Sequence, residues 1–121
     1  MSDSAIKFGT SGWRGIIAED FTFPRVRLAV AAIADHVCQH KKNPTLLVAH
    51  DTRFFAEEFA RTAAVVLAER GVQPLICQGP TPTPTVAYEI RRRKVAGAIN
   101  FTASHNPAEY NGMKFSPAWG G

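Results

Sequence analysis

Val95-Ala96-Gly97-Ala98-Ile99-Asn100-Phe101 runs straight into Thr102-Ala103-Ser104-His105-Asn106-Pro107: an apolar run of strand length that ends on a polar turn. The same arrangement occurs twice upstream. Thr45 to Ala49 is a short apolar strand closing on His50-Asp51-Thr52-Arg53. Val72 to Cys77 is a buried strand leading into the proline-threonine stretch Gly79 to Thr85. Between these runs the period changes. Val26, Val30, Ile33 and Val37 recur at spacings of four, three and four, which predicts a helix from about Pro24 to Lys42. Pro24 suits its first turn, and Lys41, Lys42 and Pro44 mark its end. Phe55, Phe59, Ala63 and Val66 share one face of a second predicted helix, from about Phe55 to Arg70, with Gly71 placed to stop it. A shorter helix is expected from Thr85 to Arg93, since each proline before it disfavours helix in the preceding residue. At the front, Phe8-Gly9-Thr10-Ser11-Gly12-Trp13-Arg14-Gly15 reads as a glycine-rich loop. At the back, Gly112 to Ser116 reads as a fourth strand, paired across an Asn111-Gly112 turn signal.

Strands alternating with helices predict an α/β fold, a three-layer α/β/α sandwich around a small, mixed, mainly parallel sheet of about four strands. The polar segments His50 to Arg53, Gly79 to Pro84 and Thr102 to Pro107 each follow the carboxyl end of a strand. Ligands of open α/β sheets bind at that edge, so three loops distant in sequence converge on one rim. No internal repeat, low-complexity segment or linker interrupts the chain, and 1–121 reads as a single domain.

The composition narrows the classes. The 121 residues are 45% hydrophobic and 20% charged, as in globular proteins. No apolar run approaches the roughly 20 residues needed to cross a bilayer, so no membrane partner is expected. A formal charge of +4 could suit an anionic ligand such as a sugar phosphate, or nucleic acid, but so modest a basic excess is more often just a solvated surface and carries little weight. The densest basic run, Arg91-Arg92-Arg93-Lys94, lacks interleaved aromatics and falls where a helix ends, where cations offset the helix dipole. Nucleic acid is therefore not an expected partner. Cys38 and Cys77 are too few for a disulfide scaffold and read as small buried hydrophobes; with no signal peptide ahead of them, the expected compartment is the cytoplasm. His36 and His40 have a metal-binding spacing but no glutamate between them in the metalloprotease arrangement, so they read as one solvated helix face. Neither a Walker loop nor a dinucleotide glycine fingerprint is present.

Ser104 is a weak nucleophile unless something nearby takes its proton or offsets charge. His105 is adjacent, Asn106 can donate hydrogen bonds and Lys114 lies on the following predicted strand. Phosphoryl transfer is mostly positioning and electrostatic stabilisation, and these are suitable parts for it. Taken alone, however, Ser104-His105-Asn106-Pro107 is better read as a polar turn, because Asn-Pro is a common loop signal.

Four segments change that balance. Gly9-Thr10-Ser11-Gly12-Trp13-Arg14-Gly15, His50-Asp51-Thr52-Arg53, Gly79-Pro80-Thr81-Pro82-Thr83-Pro84, and Thr102 to Pro107 running on to Tyr110-Asn111-Gly112-Met113-Lys114 together resemble the first domain of the α-D-phosphohexomutase superfamily. The resemblance implies that Ser104 is phosphorylated and hands its phosphoryl group to a hexose monophosphate, giving a bisphosphate intermediate. It implies that His105 and Lys114 flank the nucleophile and that Arg14 faces the same phosphate, its fork of donors suiting phosphate oxygens. Thr10, Ser11 and Asn106 are implied as phosphate-binding or loop-shaping groups. Asp51 and Arg53 are expected to form a structural ion pair that braces the rim. Mg²⁺ is implied as cofactor, held by the Ser104 phosphate and by aspartates of a second domain, with a hexose bisphosphate as activator. The implied partners are the hexose phosphate substrate and the remaining domains of a four-domain enzyme, of which 1–121 would be domain I. Asp3, Asp20, Asp35 and Asp51 are scattered and form no substitute metal cluster. The chain is accordingly expected to be a piece of a longer enzyme or a natural fragment, inactive by itself. A phosphosugar-binding or scaffold domain without catalysis is the alternative.

Overall fold

The computed structural model describes residues 13–103 and 110–118. Five strands and three helices alternate as β1 (Trp13–Ile16), α1 (Phe23–His40), β2 (Thr45–His50), α2 (Ala56–Glu69), β3 (Gln73–Ile76), α3 (Thr83–Arg93), β4 (Gly97–Phe101) and β5 (Tyr110–Pro117). The sheet order is β1-β5-β4-β2-β3. β2 pairs parallel with β3 and β4, whereas β5 pairs antiparallel with β4 and β1. Four strands therefore run one way, and β5 alone runs against them.

The α/β/α layering follows from the strand pleat, which sends successive side chains to opposite faces. On β2, Leu46 and Val48 enter the larger core beneath α1 and α2, while Leu47 and Ala49 enter the smaller core beneath α3. Val26, Val30 and Val37 of the predicted α1 stripe are buried with Phe59, Ala63 and Val66 of α2. Thr22 caps α1, its hydroxyl accepting from the Arg25 N–H at 3.4 Å, with Pro24 in the first turn, where a missing N–H costs nothing. Gly71 ends α2 at φ +85° as expected.

Five expectations need correction. The run Val72 to Cys77, expected to be a buried strand, holds β3 at the edge of the sheet, with Gln73 and Ile76 exposed. Among the described residues the sheet has five strands, not about four, because β1, Trp13 to Ile16, begins inside the supposed glycine-rich loop Phe8 to Gly15. Local composition hides this strand: its partner β5 is nearly a hundred residues away, opposite in the register Trp13↔Met113. Asn111 and Gly112 make no hairpin turn; both lie inside β5, opposite Gly15 and Arg14. α3 starts at Thr83 rather than Thr85, with Pro84 accommodated in its first turn. Finally, Cys38 is exposed and Cys77 only half-buried. Cys38 lies off the apolar stripe of α1, its thiol against the Arg70 carbonyl at 3.7 Å. Among the described residues no helix is long and apolar enough to cross a membrane.

Candidate active site

The register places one row of residues across the carboxyl edge of the parallel strands: Trp13, Met113, Phe101 and His50. Trp13, Phe101 and Met113 all belong to the α1/α2 core. There an aromatic cluster underlies the rim, Phe21 meeting Trp13 at 4.5 Å and Phe59 edge-on at 4.8 Å between ring centroids. Offset and edge-on aromatic contacts of this kind add to the burial that holds a core together. The rim rests on a packed floor.

Because Trp13 and Met113 face that floor, their neighbours Arg14, Gly112 and Lys114 face the opposite side of the sheet. Asn100 lies opposite Lys114, and Ala49 opposite Asn100. Ala49 and Ala98 on this face are covered by α3. Towards β5 and β1 the face becomes polar, with Arg14 and Lys114 as diagonal neighbours across Gly112. Arg14 passes directly over that glycine: a β-carbon at 112 would lie 2.8 Å from Arg14 Cγ. Gly112 has no positive φ, so what demands glycine there is the close approach.

Backbone bonds knit the loops above this row. The Thr102 N–H donates to the Gly112 carbonyl, Asp51 N–H to the Phe101 carbonyl, and Thr81 N–H to the His50 carbonyl, at 2.9 to 3.1 Å. His50 is buried, its Nδ1 2.8 Å from the Asp51 carbonyl oxygen. A carbonyl only accepts, so Nδ1 is the donor in this contact and the ring has a structural role. A cleft of about 340 Å³ opens between the loops, lined by His50 to Arg53, Glu57, Glu58 and Gln78 to Pro80. α2 and α3 each begin at this edge, adding the positive ends of two helix dipoles. The lining of this cleft carries three carboxylates, Asp51, Glu57 and Glu58, against Arg53, and the cationic side of the rim, which suits an anion, is the face that carries Arg14 and Lys114.

Of the residues singled out in the sequence, Arg14 and Lys114 are brought to one face at adjoining strands. Asp51 and Arg53 form the expected ion pair at 3.2 Å. Thr10, Ser11, Ser104, His105 and Asn106 lie outside the described residues, so their placement is not part of this geometry. Residues 104–109 connect Ala103 to Tyr110, both at the rim. Two features escaped the sequence reading. Asn100 is the lone polar residue in an apolar strand, a signal that was there to be read. The bond from Arg53 Nη1 to the Tyr110 carbonyl, 3.2 Å, joins positions 57 apart and left no local trace.

Residues 5–121 match the family model described as phosphoglucomutase/phosphomannomutase, alpha/beta/alpha domain I. This chain belongs to the phosphoglucomutase/phosphomannomutase family. A phosphoglucosamine mutase from Levilactobacillus brevis is 36% identical over 112 residues, covering 89% of this chain and 25% of that protein. A phosphoglucomutase from Staphylococcus saprophyticus is 31% identical over 125 residues, covering 98% of the chain and 22% of the relative. A Thermus thermophilus structure solved as a candidate phosphomannomutase superposes with a TM-score of 0.92 and 42% identity, over 98% of the chain and 27% of that structure. The domain I fold thus spans about a quarter of the length of the proteins it matches. The match covers β1 with Arg14, β5 with Lys114 and the segment that begins at Thr102 in a single unit.

Proposed function

We propose that this domain carries the phosphoserine of a hexose-phosphate mutase, with Ser104 as the group that gives and receives the phosphoryl. One observation carries the reading. Arg14 and Lys114, cationic residues 100 positions apart in sequence, share one face next to the strand end from which the Ser104 run departs.

In the proposed reaction a sugar hydroxyl oxygen attacks phosphorus while the bond from phosphorus to the Ser104 oxygen breaks, leaving a bisphosphate. After the sugar turns over, the Ser104 oxygen attacks the other phosphate and the isomerised monophosphate leaves. Each direction moves one proton from the attacking hydroxyl to a base, for which His105 and Lys114 are the groups at hand. Arg14 would hold the phosphoryl oxygens through its planar fork. Thr10, Ser11 and Asn106 would add neutral donors. Phosphoserine adds roughly −1.5 to −2 charges at neutral pH. Mg²⁺, when bound, would supply the matching positive charge. No group of three or more His, Cys, Asp or Glu that could hold a metal occurs among the described residues. The proposed Mg²⁺ site draws on this chain through phosphorylated Ser104, with its other ligands in a further domain. The cytoplasm is the proposed compartment, in keeping with two free cysteines.

The test is transfer of label. Full-length protein incubated with a hexose bisphosphate labelled in its phosphates is expected to take up label at Ser104, and Ser104→Ala to abolish both labelling and isomerisation. Binding of the bisphosphate without labelling would instead favour a phosphosugar-binding domain. Retention of mutase activity by Ser104→Ala would refute the proposal.

A further inference from the structure

The Asp51–Arg53 pair does more than close a turn. One carboxylate oxygen of Asp51 accepts the Arg53 backbone N–H at 2.9 Å and the other accepts Arg53 Nε at 3.2 Å, so the arginine is held at two points. The Arg53 side chain is only 13% exposed. Its guanidinium then reaches across to β5 and donates from Nη1 to the Tyr110 carbonyl at 3.2 Å. The next residues repeat the link. Asn111, fully buried, donates from Nδ2 to the Phe54 carbonyl at 3.5 Å and accepts the Gly112 N–H on Oδ1 at 2.8 Å. Residues 53 and 54 thereby grip two consecutive residues at the start of β5. The gripping turn is itself fixed: Phe55 sits in the left-handed region at φ 64°, packed at 5.8 Å against Phe23. A bulky residue held in that region persists only where its surroundings over-determine it, and such positions cluster at functional sites.

We propose that Arg53 is a positioning residue: clamped by Asp51, it sets where β5 begins, and through the register of β5 with β1 and β4 it sets the separation of Arg14 and Lys114. Tyr110 pairs with Ile16, Gly112 with Arg14 and Lys114 with Asn100, so a displacement at Tyr110 is passed along to both cations. Arginine suits this place because two nitrogens of its rigid fork, Nε and Nη1, engage the Asp51 carboxylate and the Tyr110 carbonyl together, and lysine has one donor nitrogen in place of those two. The inference rests on the functional reading above and adds to it a role for a residue that need not touch substrate.

A brace and a positioning residue make different predictions. The experiment compares Arg53→Lys, Arg53→Gln and Asp51→Asn in the full-length protein, reading kcat, KM, melting temperature and the single-turnover rate of phosphoryl transfer from phosphorylated Ser104. Displacement of catalytic groups by about 1 Å can cost about 100-fold. The expected result is a fall of about ten- to one-hundred-fold in kcat and in the single-turnover rate. KM is expected to stay within about twofold, and Arg53→Lys to recover little despite keeping its charge. Adding Asp51→Asn to Arg53→Gln is expected to cost little more, since the two act as one unit. A normal kcat in either folded Arg53 variant would overturn the inference. So would a kcat loss that parallels the fall in melting temperature and disappears on cooling. Should Arg53→Gln not fold, Arg53→Lys decides by the same two criteria. An active Ser104→Ala would refute the functional reading separately. An inactive Ser104→Ala alongside a fully active Arg53→Lys would refute the positioning role alone.

Discussion

Arg14 lies across the bare α-carbon of Gly112. The space that a β-carbon would need is taken by Arg14 Cγ at 2.8 Å, the Thr102 carbonyl oxygen at 2.7 Å and the Trp13 carbonyl oxygen at 2.8 Å. The arginine could swing aside, but the two carbonyls belong to the strand pairing on either side of β5 and cannot. Gly112→Ala is therefore expected to spread the sheet, at a cost of about 1–3 kcal/mol typical of overpacking. It should also displace Arg14 from its seat. Chemical denaturation measures the first effect, and the labelling rate at Ser104 in full-length protein measures the second. Wild-type stability in Gly112→Ala would mean that the close approach is not real.

Arg14 itself is expected to matter by its shape. Removing a donor aimed at developing charge in other enzymes costs on the order of 100- to 1000-fold in rate. Arg14→Ala in the full-length protein should fall in that range for phosphoryl transfer, with the fold unchanged because the side chain is half-buried at the rim rather than in the core. Arg14→Lys keeps the charge and loses the bidentate fork, so it should restore only a small part of the rate. Full restoration by lysine would show that charge alone is needed.

The layering was readable because burial imposes periods: the α1 stripe from Val26 to Val37 and the apolar runs of β2 and β4 each face a core. The ends of those strands placed the rim, and with it Lys114. What could not be read was pairing between distant segments. β1 carries the polar Arg14 and two glycines flank it at 12 and 15, so its local composition says loop; only β5 opposite makes it a strand. For the same reason Asn111-Gly112 resembled a turn. Asn111 is instead buried to complete the anchor to Phe54, and Gly112 is glycine because the Thr102 and Trp13 carbonyls, with Arg14, crowd its α-carbon. Arg53 announced its ion pair with Asp51 by proximity in sequence, while its reach to Tyr110 depends on the tertiary fold.

Glu89 gives a prediction in pH. Hydrogen bonds from Arg92 and then Arg93, on the exposed face of α3, hold its carboxyl at about 2 instead of 4.5. A carboxyl depressed on folding contributes stability above its unfolded value near 4.5, and that contribution disappears as pH falls through about 2. The group is a surface one and salt screens it, so the effect on overall stability is small. A carboxyl-detected NMR titration should find Glu89 still ionised at about pH 3.5, below the ordinary carboxylate midpoint. Arg92→Gln with Arg93→Gln should return its midpoint towards the ordinary carboxylate value. A Glu89 midpoint near 4.5 in the parent protein would show that these ion pairs do not persist in solution.

The carboxyl ends of α2 and α3 offer a matched pair of stability tests. α3 closes on Lys94 in the left-handed region at φ 55° and ψ 38°, its N–H bonded to the Ile90 carbonyl, whereas α2 is followed by Gly71 at φ +85°. Lysine in that region carries a steric penalty of about 1–2 kcal/mol that glycine escapes. Part of that gain is returned, because glycine also frees the unfolded chain. Lys94→Gly is thus expected to stabilise by about 0.5–1 kcal/mol. Gly71→Ala is expected to destabilise by about 1 kcal/mol, and by backbone strain alone, since an added β-carbon there meets nothing within 4 Å. Urea denaturation of the two variants reads both signs. Opposite signs with unchanged m-values place both effects in the left-handed caps; a loss of stability in Lys94→Gly would mean that the lysine side chain, and not its backbone, secures the end of α3.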